Sequence, residues 1–108
     1  MKIIKSQEYL DSLKNILSYI AEDKKSAAIS FNTELTKSIK TLKDFPYKYQ
    51  QSKYFDQENI RDLQYKGYSI PYLIAENSII IIGITKYRKS FKHLSNEEFS
   101  DKYGKEVW

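Results

Sequence analysis

No segment restricts the possible folds more than Ile79 to Thr85, in which five isoleucines are interrupted by Gly83 alone. The run is apolar on both faces of an extended chain, as in a strand covered on both sides at the centre of a sheet. It is far too short to cross a bilayer, which needs about 20 apolar residues. The fold must therefore supply neighbouring strands and at least one layer to lie over them.

Upstream segments provide both. Leu10, Leu13, Leu17 and Ile20, with Ile16 beside them, recur at helical spacing. Ser6 is a good N-cap for this helix, and Glu8 falls in its first turn, where a carboxylate suits the helix dipole. Ala28, Phe31, Leu35, Ile39 and Leu42 form a second stripe, for which Asp23 is a candidate cap. Pro46 ends it and disfavours helical geometry at Phe45. The joint through Glu22 to Lys25 is very short, which predicts an antiparallel helix hairpin over Gln7 to Lys43.

Met1 to Lys5 predicts a short strand, and Tyr47 to Asn59 a polar loop without clear period. Arg61, Leu63 and Tyr65 alternate with Asp62, Gln64 and Lys66 before a turn at Gly67. Tyr68, Ile70, Tyr72 and Ile74 share one face of the next strand, and Ser69, Pro71 and Leu73 the other. Pro71 cannot donate a ladder bond and should sit at a bulge or on an unpartnered side. After Ala75 to Ser78 comes the isoleucine strand, and connections this short make the three strands an antiparallel meander. Ser95-Asn96-Glu97-Glu98 is a capping box that predicts a short helix to about Tyr103. The expected fold class is α+β in one domain, residues 1–108: an N-terminal strand and two-helix hairpin on a small antiparallel sheet, then a short C-terminal helix.

Composition narrows the function. The chain has no cysteine, which excludes disulfides, cysteine nucleophiles and cysteine zinc sites. His93 is the only histidine, so a histidine-rich metal centre is excluded, and neither metal nor cofactor is expected. Three glycines are too few for a phosphate-binding loop at any of them. The pairs Glu22/Asp23 and Glu97/Glu98 are sequence neighbours rather than converging carboxylates, and suit helix ends. Lys2 and Lys5 are not followed by the apolar stretch of a signal peptide, so a cytoplasmic protein without membrane contact is expected. A formal net charge of +4 suits an acidic partner, nucleic acid or protein.

The strongest concentration of that charge is Lys86-Tyr87-Arg88-Lys89-Ser90-Phe91-Lys92-His93, four cations without an acid, interleaved with aromatics. Such a pattern suits a phosphate backbone and unstacked bases, and equally the solvated end of a strand. Arg61 shares a face with Leu63 and Tyr65, where it could bind a target, pair with a carboxylate or lie over the edge of the core. Lys66 beside Gly67 is a turn lysine and a second candidate contact. His93 has the chemistry for proton transfer near neutral pH, although a lone surface histidine is more often idle. Tyr68 and Tyr72 suit a core position with the hydroxyl at its rim.

Several segments together resemble the RelE/ParE superfamily of toxins, and most of all its ParE-like branch. Tyr19-Ile20-Ala21-Glu22-Asp23, followed by Ser26-Ala27-Ala28 and Phe31, is similar to that branch's helix junction. Leu42 to Pro46 is similar to the end of its second helix. Ile60-Arg61-Asp62-Leu63, Gly67-Tyr68, Tyr72 and the isoleucine run are similar to its meander. The resemblance covers roughly residues 1–90, and the order of elements agrees as well. It implies the toxin of a type II toxin-antitoxin system, inhibiting growth until a cognate antitoxin covers it in a hetero-oligomer.

Members of the superfamily act in two ways: RelE-like toxins cut messenger RNA on the ribosome, and ParE-like toxins poison DNA gyrase. The RelE-like nucleases carry an arginine where this chain has Ser69, and lysines near Ile60 and Asp62. Gyrase inhibition is therefore favoured, with Arg61, Lys66, Lys86, Tyr87, Arg88 and Lys89 as target-binding or nucleic-acid-binding candidates. The alternatives are a ribosome-dependent endoribonuclease working through Arg88, Lys89 and His93, and an inactive toxin-like binding domain.

Overall fold

The computed structural model describes residues 1–86. Strand β1 (Lys2–Lys5) leads into helices α1 (Gln7–Asp23) and α2 (Lys25–Lys40), the latter prolonged by a 3-10 turn over Thr41–Lys43. Strands β2 (Ile60–Tyr65), β3 (Tyr68–Ile74), β4 (Ser78–Ile81) and β5 (Thr85–Lys86) follow. The order across the sheet is β1-β4-β3-β2, with β5 also paired to β3. The meander is antiparallel as expected, while β1 lies parallel to β4, which makes the whole sheet mixed. The capping box from Ser95 lies outside the described residues.

Ser6 caps α1 and also fastens it to the sheet. Its Oγ accepts the Tyr9 N–H at 3.0 Å and donates to the Ile82 carbonyl at 2.6 Å. Its own N–H reaches the Ile81 carbonyl at 3.0 Å. The helix thus leaves the sheet at the point where β1 stops pairing with β4. Asp23 does not cap α2. It remains the last residue of α1, and Lys24 alone forms the joint, in extended conformation and without a side-chain cap. Its carbonyl accepts the Ala27 and Ala28 N–H groups instead.

The hairpin buries Tyr9, Leu13, Phe31, Leu35, Ile39 and Leu42 against one sheet face, which supplies Leu63, Ile70, Tyr72, Ile79 and Ile81. Tyr9 takes the place expected of Leu10, which is 41% exposed. The stripe on α1 therefore runs Tyr9, Leu13, Ile16, Leu17 and Ile20: its first member moves by one residue and the other four stand as the spacing placed them.

The other face is covered by the loop after Pro46. Phe55 packs on Ile60, Leu73, Ile80 and Ile82. Both faces of the isoleucine strand are thereby covered, as its pattern requires.

That strand is broken. Tyr72 opposes Ile81 and Ser69 opposes Thr85, so Ile82, Gly83 and Ile84 face only Ile70 and Pro71. This is a β-bulge, and it shifts the alternation so that Ile84 joins Ile79 and Ile81 on the hairpin face. Pro71 sits opposite the bulge, where its missing N–H interrupts no regular pairing. Its carbonyl still accepts the Ile82 N–H at 2.9 Å.

Candidate functional site

The turn between β2 and β3 is a two-residue hairpin made by Lys66 and Gly67, both at positive φ (46° and 82°). Two successive positive-φ residues match the right-handed twist of the flanking strands, and glycine adopts this geometry at no steric cost. Lysine does not, so Lys66 is held there by its neighbours. Tyr65 and Tyr68, which close the hairpin as a pair, both meet the Phe31 ring edge-on, at 5.1 and 5.6 Å. The Tyr65 hydroxyl donates to the Phe31 carbonyl at 3.3 Å, and the Lys66 ammonium lies 5.5 Å from the Tyr65 ring centroid.

Strand β5 brings a second cation to the same end of the sheet. Lys86 opposes Tyr68 directly, so the two side chains leave the same face. Lys86 is exposed. Between it and α1 lies a groove of about 380 Å³, lined by Ile16, Tyr19, Tyr68, Ile84 and Thr85 among others. Tyr19 is 73% exposed. This end of the molecule thus combines cations with an apolar trough. Tyr87, Arg88, Lys89 and His93 follow Lys86 in sequence and lie outside the described residues.

Arg61 is placed elsewhere. Half-buried at the start of β2, it donates from Nε to the Glu58 carbonyl at 3.1 Å and from Nη1 to the Tyr49 carbonyl at 3.3 Å. Its guanidinium carbon lies 5.0 Å from the Tyr47 ring centroid. These contacts hold the loop against the sheet edge, together with the Gln51–Arg61 bridge and the Ser52 N–H to Ile60 carbonyl bond of 2.7 Å. Tyr72 reinforces them: its hydroxyl donates to the Pro46 carbonyl at 2.6 Å, and burial raises its pKa well above the usual phenol value. The rim partner expected for Tyr72 is therefore a loop carbonyl.

Asp62 was legible in the sequence only as the polar side of an alternating strand, yet it is 4% exposed. Its Oδ2 accepts the Lys53 N–H at 2.9 Å. Ser69 is buried too and donates from Oγ to the Gln64 side chain at 3.1 Å. Among the described residues, no group of three His, Cys, Asp or Glu converges in a way that could hold a metal ion. Nor is any described helix long and apolar enough to cross a membrane.

A strand, a helix hairpin and a meander in this order, with a cationic sheet end, define the class of small α+β toxins whose fold the sequence resembles. The model of the family "ParE toxin of type II toxin-antitoxin system, parDE" matches residues 3–91, and the chain belongs to that family. It is the toxin component of a type II toxin-antitoxin system, and an antitoxin partner follows from this membership. A solved structure described as "Chromosomal ParDE TA system from P. aeruginosa" has the same fold, with a TM-score of 0.66 at 16% identity over 80% of this chain and 95% of that one. No curated protein matches the sequence significantly.

Proposed function

We propose that this toxin stops growth in the cytoplasm by inhibiting DNA gyrase, through the cationic sheet end that bears Lys66 and Lys86, together with Tyr87, Arg88 and Lys89, which follow Lys86 in sequence. One observation carries the choice of target. RelE-like nucleases place an arginine at the position of Ser69 and lysines near Ile60 and Asp62, and these three residues are all buried and none basic, at 1%, 0% and 4% exposure. Metal-free RNA cleavage needs groups that promote attack by the 2′-hydroxyl and stabilise the developing charge, and these positions offer no cation for that task.

The antitoxin would cover the same end. Acidic residues would lie near Lys66, Lys86, Arg88 and Lys89, and apolar side chains would fill the trough beside Ile16 and Tyr19. A segment that folds on binding suits such a surface.

Purified toxin added to gyrase and relaxed plasmid should block supercoiling, and in a translation extract it should leave messenger RNA intact. Cleaved messenger with unaffected gyrase would overturn this choice in favour of an endoribonuclease using Arg88, Lys89 and His93. Neither effect, from folded protein, would identify a toxin-like domain that only binds its partner.

A further inference from the structure

Two large aromatic rings stand exposed on one tight turn: Phe45 is 63% and Tyr47 57% exposed. The Phe45 N–H donates to the Thr41 carbonyl at 3.1 Å and the Lys48 N–H to the Phe45 carbonyl at 3.2 Å, which folds residues 41–48 into a compact knuckle after α2. The Tyr72 hydroxyl pins that knuckle to the sheet through the Pro46 carbonyl, so the rings project from a fixed base. From Lys40 to Lys48 three exposed lysines stand against one acid, Asp44. Arg61 adds a fourth cation, its guanidinium carbon 5.0 Å from the Tyr47 centroid. With Tyr47, Glu58 and Asn59 it lines a pocket of about 470 Å³. Two backbone carbonyls hold the guanidinium in place, and it has more N–H groups than these bonds use.

We infer that this knuckle is a binding site for single-stranded nucleic acid, with Phe45 and Tyr47 as stacking platforms for unpaired bases and Lys43, Lys48 and Arg61 as contacts for the phosphates between them. Single strands are held by cations that follow the backbone and by aromatic rings on which bases stack, and every base has a face that can stack. Lys43, Phe45, Tyr47 and Lys48 interleave the two kinds of group within six residues, as base and phosphate alternate along a strand. The Arg61 guanidinium against Tyr47 adds a cation to the stacking site itself. An acidic peptide would use the charges without needing the rings, and an anionic bilayer would meet a broader apolar face than two side chains on a turn. Arg61 stands near the start of β2 and Lys66 just past its end, so this surface is separate from the sheet end proposed to meet gyrase. The site does not depend on which cellular target the toxin inhibits.

The test is a titration of the full-length protein with short oligothymidylate, followed through the backbone amides of Phe45, Tyr47, Lys48 and Arg61. Saturable shifts with a midpoint on the order of 100 µM at physiological salt are expected. The logarithm of affinity should fall against that of salt with a slope of about −2, as for three phosphates on a single strand. Phe45→Ala with Tyr47→Ala should weaken binding at least about tenfold, and Tyr47→Trp, which keeps a stacking ring, should bind as tightly as the wild type or tighter. Should the alanine variant fail to fold, the preference of the wild type and of Tyr47→Trp for the single strand over a duplex of equal length decides. Oligouridylate distinguishes the sources, since tighter binding than oligothymidylate points to RNA and weaker binding to DNA. Four results would overturn the inference: equal binding of the duplex, equal binding of a polyglutamate of matched charge, shifts induced only by anionic phosphatidylglycerol vesicles, or shifts confined to Lys66 and Lys86. The last would leave the gyrase reading intact.

Discussion

At the scale of single residues, the most informative position is Lys66. A non-glycine residue in left-handed geometry is disfavoured, and a two-residue turn with two positive φ angles prefers asparagine before glycine. Lys66→Asn should therefore stabilise the fold by about 1 kcal/mol while removing one cation from the sheet end. Urea unfolding and a growth assay on the same variant check both halves: a midpoint that rises while toxicity falls is the expected pair. A stabilised variant of undiminished toxicity would remove Lys66 from the target surface. Tyr9 gives a second residue-scale test. Burial pushes its hydroxyl up to about 12 from the ordinary 10.0, so the native state holds this proton more tightly than the unfolded chain. Its contribution is complete below pH 10 and is lost as pH rises towards 12. Stability measured across that interval should fall more steeply in the wild type than in Tyr9→Phe, which has no proton to lose.

At the scale of elements, the hairpin makes a sharp contrast available. Leu35 is fully buried, and Leu35→Ala should cost about 2–5 kcal/mol. Leu10, although the sequence pattern placed it in the same apolar layer, is 41% exposed, and Leu10→Ala should cost less than about 0.5 kcal/mol. Chemical denaturation of the two variants side by side checks the exchange of Leu10 for Tyr9 at the start of the stripe. That exchange shows where sequence reasoning reaches its limit. Helical spacing identified both stripes, since a period of 3.6 is imposed by burying one face, and Ser6 was recognisable because its oxygen can accept a first-turn N–H. Tyr9 and Leu10 are adjacent and both apolar enough to bury, so the choice between them depends on what faces them across the sheet. The doubly apolar strand was legible for the same reason as the stripes. Its break was not, because the shift at Gly83 is set by Pro71 on the neighbouring strand. The parallel pairing of β1 with β4 joins opposite ends of the described chain and leaves no local pattern. Phe55 is one aromatic in a polar, aperiodic loop, and Asp62 looked like the wet side of an alternating strand until that loop was laid over it. The candidate site was visible as a run of charge from Lys86 onward. That Lys66 shares its end of the sheet, and that Arg61 does not, follows from register alone.

At the scale of the whole molecule, the cationic end and the apolar trough should divide the work of antitoxin capture. Lys66 and Lys86 are exposed, so their attraction for an acidic partner acts over about a Debye length, roughly 8 Å at physiological salt, before contact is made. Such charges raise association rates and add little to the lifetime of the complex, whereas buried aromatic anchors govern dissociation. Reversing both, Lys66→Glu with Lys86→Glu, takes the formal net charge from +4 to zero and replaces the two described cations at this end of the sheet with carboxylates. Association with the cognate antitoxin should slow by about tenfold or more at low ionic strength, and its salt dependence should flatten or change sign. Dissociation should change little. Tyr19→Ala, which removes the exposed ring from the trough, should do the reverse: the association rate stays within about twofold while the complex dissociates about tenfold faster. Stopped-flow association and surface-capture dissociation, each at two salt concentrations, separate the two effects. Should charge reversal leave association untouched at low salt, the antitoxin reads another surface, and the lysines at this end are merely the solvated tip of the sheet. Should Tyr19→Ala leave dissociation untouched, the trough beside α1 is not where the partner is anchored.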